Sequence, residues 1–152
     1  MNVHFIFRRF ILVSLGVFLA TTALAADNIS ISVSNAWARP LPPVVPNGAV
    51  YMKIVNSGVA SERLTIISGK VSKGIEIHRT VEENGIMKMQ RQDAGIVIPA
   101  GGTVAFAPHG LHVMLVNLAE PLREGQTFPL TLHFESGAAI EVTVSAQPMA
   151  PQ

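Results

Sequence analysis

An all-β fold in a single domain, a Greek-key sandwich or barrel, is predicted by three features of the chain. Apolar and polar residues alternate with a period of two over most of its length, the mark of half-buried strands. Turn residues interrupt that alternation at the spacing of about 8–12 residues found in sandwiches and barrels. No stretch keeps a helical period over a convincing length. Eight or nine short strands are expected, without internal repeats or a second domain.

Met1 to about Ala25 reads as a secretory leader, not as part of the fold. Arg8 and Arg9 precede an apolar run from Phe10 to about Ala20, and Ala23-Leu24-Ala25 has the small-x-small form of a cleavage site. The run is shorter than the about 20 residues that a spanning helix needs. A periplasmic chain cleaved near Ala25, with no stable membrane span, is therefore expected, an uncleaved anchor being the alternative. The domain is placed over residues 26–146 and a flexible tail over 147–152. Without the leader, nine basic residues stand against ten acidic ones, so the basic pI of 8.2 belongs to the precursor. No basic run or face supports nucleic-acid binding. The chain has no cysteine, hence no disulfide framework, and an exported domain of this kind relies on packing.

Ile29, Ile31 and Val33 alternate with serines and continue into Asn35–Arg39 as a first strand. PLPPVVPNG follows; its prolines cannot donate to a ladder, which makes it a stiff extended loop. Val50, Met52 and Ile54 share the inner face of the next strand, which ends at Asn56-Ser57-Gly58. Leu64 to Ile67 is a short apolar run closed by Ser68-Gly69. Ile75 and Ile77 face one way, Glu76 and His78 the other. Asn84-Gly85 is a tight-turn signal that joins Ile75–Arg79 to Ile86–Arg91 as a hairpin. Ile96–Ile98 is brief, Val104 and Phe106 share a face, and Leu111, Val113 and Leu115 alternate with His112, Met114 and Val116. Beyond the loop AEPLREGQ, Phe128, Leu130, Leu132 and Phe134 form one strand face, and Ile140, Val142 and Val144 another.

Chemistry concentrates between His78 and Met114. His78 lies in GIEIHRT, Met87 and Met89 in GIMKMQR, and His112 and Met114 in HGLHVML. Outside this window and the leader, only Met52, Met149 and His133 carry such donors; His109 falls within the window, in a turn beside the candidate site. Imidazole suits several transition metals, whereas a neutral thioether is a soft donor that favours Cu(I) over Zn(II), Mg(II) or Ca(II). His112 and Met114 stand at i and i+2 on one strand face, about 6–7 Å apart, opposite a face already supplied with core residues. Met87 and Met89 share a face in the return strand. One soft copper site drawn from these side chains is the metal hypothesis.

Bland alternatives stand beside it. Methionine commonly fills gaps in cores and covers adhesive surfaces, and a lone strand histidine is usually solvated or satisfied. His109 is a bystander or an auxiliary ligand, His133 is expected to face solvent, and Met52 to pack in the core. Glu82 and Glu83 precede a turn and are expected to be solvated; Glu76 is solvated or orients a nearby imidazole. No nucleophile elbow, His-Glu-x-x-His helix or phosphate loop is present. A blue-copper electron-transfer centre needs a cysteine thiolate, which this chain lacks.

The segments AWARP, GAVYMKIVN, SERLTII, IEIHRTVEENGIMKMQ, IPAGGTVAFAPHGLHVML and PLREGQTFPLTLHF, in this order, resemble the PCu(A)C family of periplasmic copper chaperones over nearly the whole chain beyond the leader. The resemblance implies a cupredoxin-like Greek-key β-barrel or sandwich without a blue-copper centre. It implies one Cu(I) per chain bound by His78, Met89, His112 and Met114, with no catalytic residue. It also implies delivery toward the Cu(A) centre in subunit II of cytochrome c oxidase, alongside Sco-type thiol chaperones. The family often carries a methionine directly after the first histidine, where this chain has Arg79; Met87 is accordingly the fallback for Met89. Some relatives carry a His/Met-rich extension for Cu(II), but the tail here offers only Met149. The rival functions are a periplasmic copper buffer or tolerance protein, a copper-dependent oxidoreductase, and a metal-free adhesion or assembly module.

Overall fold

The period-two runs become ten strands in the computed structural model, which describes residues 30–151; the expected leader lies outside the described residues. The strands are β1 (Ile31–Ala38), β2 (Gly48–Asn56), β3 (Glu62–Ser68), β4 (Ser72–Glu83), β5 (Ile86–Arg91), β6 (Ile96–Ile98), β7 (Thr103–Phe106), β8 (Leu111–Leu118), β9 (Thr127–Phe134) and β10 (Ala139–Ala146). The count exceeds the expected eight or nine because the two shortest runs stay separate. β6 pairs with β3, whereas β7 pairs with β2. Among the described residues there is no helix, and none long and apolar enough to cross a membrane.

Hydrogen bonding runs in the order β5-β4-β8-β2-β1-β10-β9-β3-β6, with β7 attached to β2. The ladder does not close, so the fold is an open, folded-over sandwich and not a sealed barrel. Its one parallel joint is β1 against β10, through Trp37 opposite Ser145 and Ala38 opposite Ala146. The register of β1 against β2 shifts between Ser34 and Trp37, where Asn35 takes φ 53°, and the segment beyond the shift bonds β10 as well. Asparagine is among the few residues that tolerate this left-handed conformation.

Alternation places one face of each strand inside. Val50, Met52 and Ile54 of β2 meet Val113 and Leu115 of β8, Leu130, Leu132 and Phe134 of β9, and Val142 and Val144 of β10 in one buried cluster. The expectation for Met52 holds: it is buried among these residues. Leu64 and Ile67 are also buried although three residues apart, while Ile66 between them is exposed. A bulge at Thr65 causes this: Leu64 pairs with Phe134 and Ile66 with His133, so an extra residue reverses the alternation. Leu122 is buried from within the AEPLREGQ loop, and its carbonyl accepts the Leu41 N–H at 2.8 Å. That contact ties the proline-rich loop down beside β2.

Two local features build the surface above β4 and β8. The first is the β4–β5 hairpin, longer than expected because pairing runs on to Glu83 opposite Ile86. Asn84 (φ 54°) and Gly85 (φ 77°) form its two-residue turn, with the positive φ at both positions that a type I′ hairpin requires. The second is an excursion between β7 and β8. Phe106 pairs with Met52 and Val113 with Val50, so residues 107–112 all stand opposite Tyr51. The excursion is closed by Ala107 N–H donating to the Leu111 carbonyl at 2.7 Å and by Gly110 N–H donating to Ala107. His109 sits at its tip with φ 63°.

Leu130 is fully buried in the strand central to β10 and β3. Leu130→Ala is expected to lower unfolding stability by about 2–5 kcal/mol through lost burial and a residual cavity. The urea midpoint should fall without a change in slope; an unshifted midpoint would contradict this placement.

Candidate functional site

Side chains directly opposite one another in an antiparallel ladder share a face. β4 and β8 pair with His78 opposite His112 and Glu76 opposite Met114. β4 and β5 pair with Thr80 opposite Met89 and Glu82 opposite Met87. All four expected donors, together with Met87 and Glu76, therefore lie on one outer face spanning three strands. The opposite face of the same strands carries Ile77, Leu111, Val113 and Leu115, which are in the core.

The donors differ in depth. His112 is only 7 % exposed, although it lies on the face away from the core cluster, while His109 at the excursion tip is exposed. Met87 and Met89 on β5 are 53 % and 62 % exposed. A cavity of about 420 Å³ has Met87, Met89, His109, His112 and Met114 in its lining, together with Thr80, Tyr51 and Arg39. His78 is not part of that lining, but its ring packs edge-on against His112 with centroids 5.9 Å apart. Both methionines of β5 thus reach the same cavity. His133 lies elsewhere, half-buried on the outer face of β9, its Nε2 2.8 Å from Ser68 Oγ.

The hydrogen bonds settle which ring nitrogen is free in each neutral imidazole. His112 Nδ1 lies 3.1 Å from the Gly110 carbonyl. A carbonyl only accepts, so Nδ1 carries the proton and Nε2 keeps a lone pair. His78 Nε2 lies 2.8 Å from Glu76 Oε2, and a carboxylate likewise accepts, which leaves the lone pair on Nδ1. That Nδ1 is buried and, among the described residues, is the one buried side-chain polar atom without a partner. An acceptor left bare in this way costs about 1–3 kcal/mol, which a bound cation would recover. Glu76 is held in turn by Arg91, whose Nη1 donates to Oε1 at 2.6 Å and whose Nε pairs with Asp93. The expectation that Glu76 is either solvated or an orienting group is resolved toward contact with the ring.

Among the described residues no three His, Cys, Asp or Glu side chains gather as a metal-holding group. A metal at this face would need thioether sulfur to complete its shell, a donor set that disfavours zinc and magnesium. Tyr51 and Arg39 border the site, and Trp37 packs against Tyr51, without having been singled out in the sequence. Tyr51 follows Ala49 on the outer face of β2, Ala49 being opposite Met114. Its ring centroid lies 4.9 Å from that of Trp37, which is buried yet outside the core cluster. The period-two face of β2 was the available signal for Tyr51; no sequence signal reveals the burial of Trp37.

Residues 31–146 match the family described as "Putative lipoprotein LpqE-like". The chain belongs to the LpqE-like family. The PCu(A)C resemblance drawn from the ordered segments holds alongside it, because solved PCuAC domains share the fold. The copper-bound PCuAC domain from PmoF2 superposes with a TM-score of 0.66 at 23 % identity, over 79 % of this chain and 94 % of that one. The solution structure of CuI-DR1885 from Deinococcus radiodurans gives 0.65 at 26 % identity, over 85 % and 86 %. Among curated relatives, "Putative lipoprotein Lxx21020" of Leifsonia xyli subsp. xyli is 32 % identical over 82 % of this chain and 72 % of its own length. Protein RP573 of Rickettsia prowazekii is 34 % identical over 71 % of this chain and 61 % of its own. The cupredoxin-like class expected from the resemblance is thus the observed one, in its open sandwich form.

Burial lifts the Tyr51 phenol above the ordinary value of 10.0, and the nearby Arg39 guanidinium pulls it partly back. Because the folded value is the higher one, Tyr51 contributes stability that is fully present below pH 10 and lost as pH rises through the folded pKa. Tyr51 is the chain's single tyrosine, so an ultraviolet phenolate titration reads it directly. Its midpoint is expected above that of free tyrosine, and Arg39→Ala should move it higher still. A lower midpoint in the variant would place Arg39 away from the ring.

Proposed function

We propose that this chain is an exported Cu(I) carrier, holding one ion through His78, His112, Met114 and Met89, with Met87 and His109 as auxiliary donors at the rim. The observation that carries the proposal is the bare, buried Nδ1 of His78, beside His112, whose own lone pair is left on Nε2. Each imidazole has its second nitrogen anchored, the arrangement typical of metal-ligating histidines. Thioethers on the same face supply the soft donors that select the monovalent ion. Likeness to CuI-DR1885, at 26 % identity, points the same way.

No bond-making step is assigned to the protein. Transfer proceeds by ligand exchange: the exposed methionines release first, and thiolates of an acceptor, stronger soft ligands than thioethers, draw the ion off. The family resemblance makes the Cu(A) centre of cytochrome c oxidase, or a Sco-type thiol chaperone, the recipient, and the periplasm the place. Partial exposure of the β5 donors favours handover over storage.

His112→Ala combined with Met114→Ala should abolish stoichiometric Cu(I) binding against a competing chelator while the far-ultraviolet spectrum stays β-like. Wild-type affinity in the double variant would remove these residues from the site. In cells, loss of the protein should lower oxidase activity under copper limitation. Sensitivity to excess copper with normal oxidase would support the buffer function instead.

A further inference from the structure

We infer that Glu76, braced by Arg91, is a positioning residue that commits His78 to bind through Nδ1. The inference deepens the copper-carrying proposal, on which its affinity arm rests, but its structural arm stands without copper. Glu76 and His78 are at i and i+2 on β4, so they share the outer face, and the carboxylate reaches the ring at 2.8 Å. An isolated imidazole distributes its proton between two nitrogens. Here a carboxylate, which only accepts, holds it on Nε2. The other carboxylate oxygen is occupied by Arg91 Nη1 at 2.6 Å, and Arg91 comes from β5 directly opposite His78. Asp93 fixes the same guanidinium through Nε.

The carboxylate is therefore clamped at both oxygens and cannot rotate away from the ring without breaking a charge-assisted bond. Such a group does two things for the ring it holds. It keeps the lone pair on the buried nitrogen that has no other partner, and it raises the basicity of that nitrogen toward a cation. Glu76 also stands opposite Met114, on the same outer face. Arg91 offsets part of its charge, being shared between Glu76 and Asp93.

The test uses the chain from about residue 26 onward, uniformly nitrogen-15 labelled, with Glu76→Ala, Glu76→Gln and Glu76→Thr. Long-range nitrogen–proton spectra of the copper-free protein at neutral pH should show His78 with its proton on Nε2 in the wild type and mixed in E76A. E76Q offers one amide oxygen where the carboxylate offered two, so the ring competes for it with Arg91 and the Nε2–H population should fall between those of the wild type and E76A. Cu(I) affinity by chelator competition should fall about 10- to 100-fold in E76A, the range for losing such an outer partner, and much less in E76Q. E76T suits a strand but is too short to reach the ring, and it repeats the E76A measurement should that variant fold poorly. Retention of the Nε2–H form in E76A and E76T overturns the inference, as does a tautomer change with unaltered affinity. Should the wild type bind no Cu(I), the carrier function fails, while the tautomer measurement still decides the part played by Glu76.

Discussion

The β4–β8 register is the constraint on which the donor face depends. Ile77 lies opposite Val113 and His78 opposite His112, so one ladder sets both the core contact and the imidazole pair. A slip of one residue would turn every side chain over, driving two histidines and Glu76 into the core and exposing Ile77, Leu111, Val113 and Leu115. Burying those four side chains is worth roughly 1.5–3 kcal/mol each. Geometry at the outer face is thus enforced by apolar burial on the inner one, with no contribution needed from a ligand.

On that fixed floor the chain mounts donors with graded freedom. His112 is nearly buried and anchored through the Gly110 carbonyl, and His78 is anchored through Glu76. Met87 and Met89 lie on β5, the terminal strand of the ladder, where every residue is exposed. Under the proposed carrier function, this pairing of a rigid nitrogen pair with adaptable sulfur would let an ion be gripped and then surrendered. Methionine's unbranched chain re-packs at little cost, and without thiols the site cannot be closed by a disulfide.

The excursion at 107–112 shows how a local break in pairing makes room for this chemistry. Six residues stand against Tyr51 alone in the β2 register, so the chain parts from β2 after Phe106, while Leu111 and His112 already pair with β4. Thr80 N–H donates to the Gly110 carbonyl at 3.1 Å, which pins the excursion to β4. The same carbonyl accepts the His112 Nδ1 proton, so one backbone group both docks the loop and selects the tautomer.

Strand identity, the Asn84-Gly85 hairpin and the sharing of a face by His112 and Met114 were determined by the sequence alone, because period two and turn chemistry are local properties of the chain. The ordered family segments likewise placed His78, Met89, His112 and Met114 in one set before any coordinates. Local pattern could not show the bulge at Thr65, the plugging of the core by Leu122 or the burial of Trp37, since each depends on what packs across from it. Nor could it decide that Met87 and Met89 both reach one cavity, or that Glu76 and Arg91 clamp His78. Those facts come from strands far apart in sequence being brought edge to edge, and only the tertiary register states which residues then stand opposite one another.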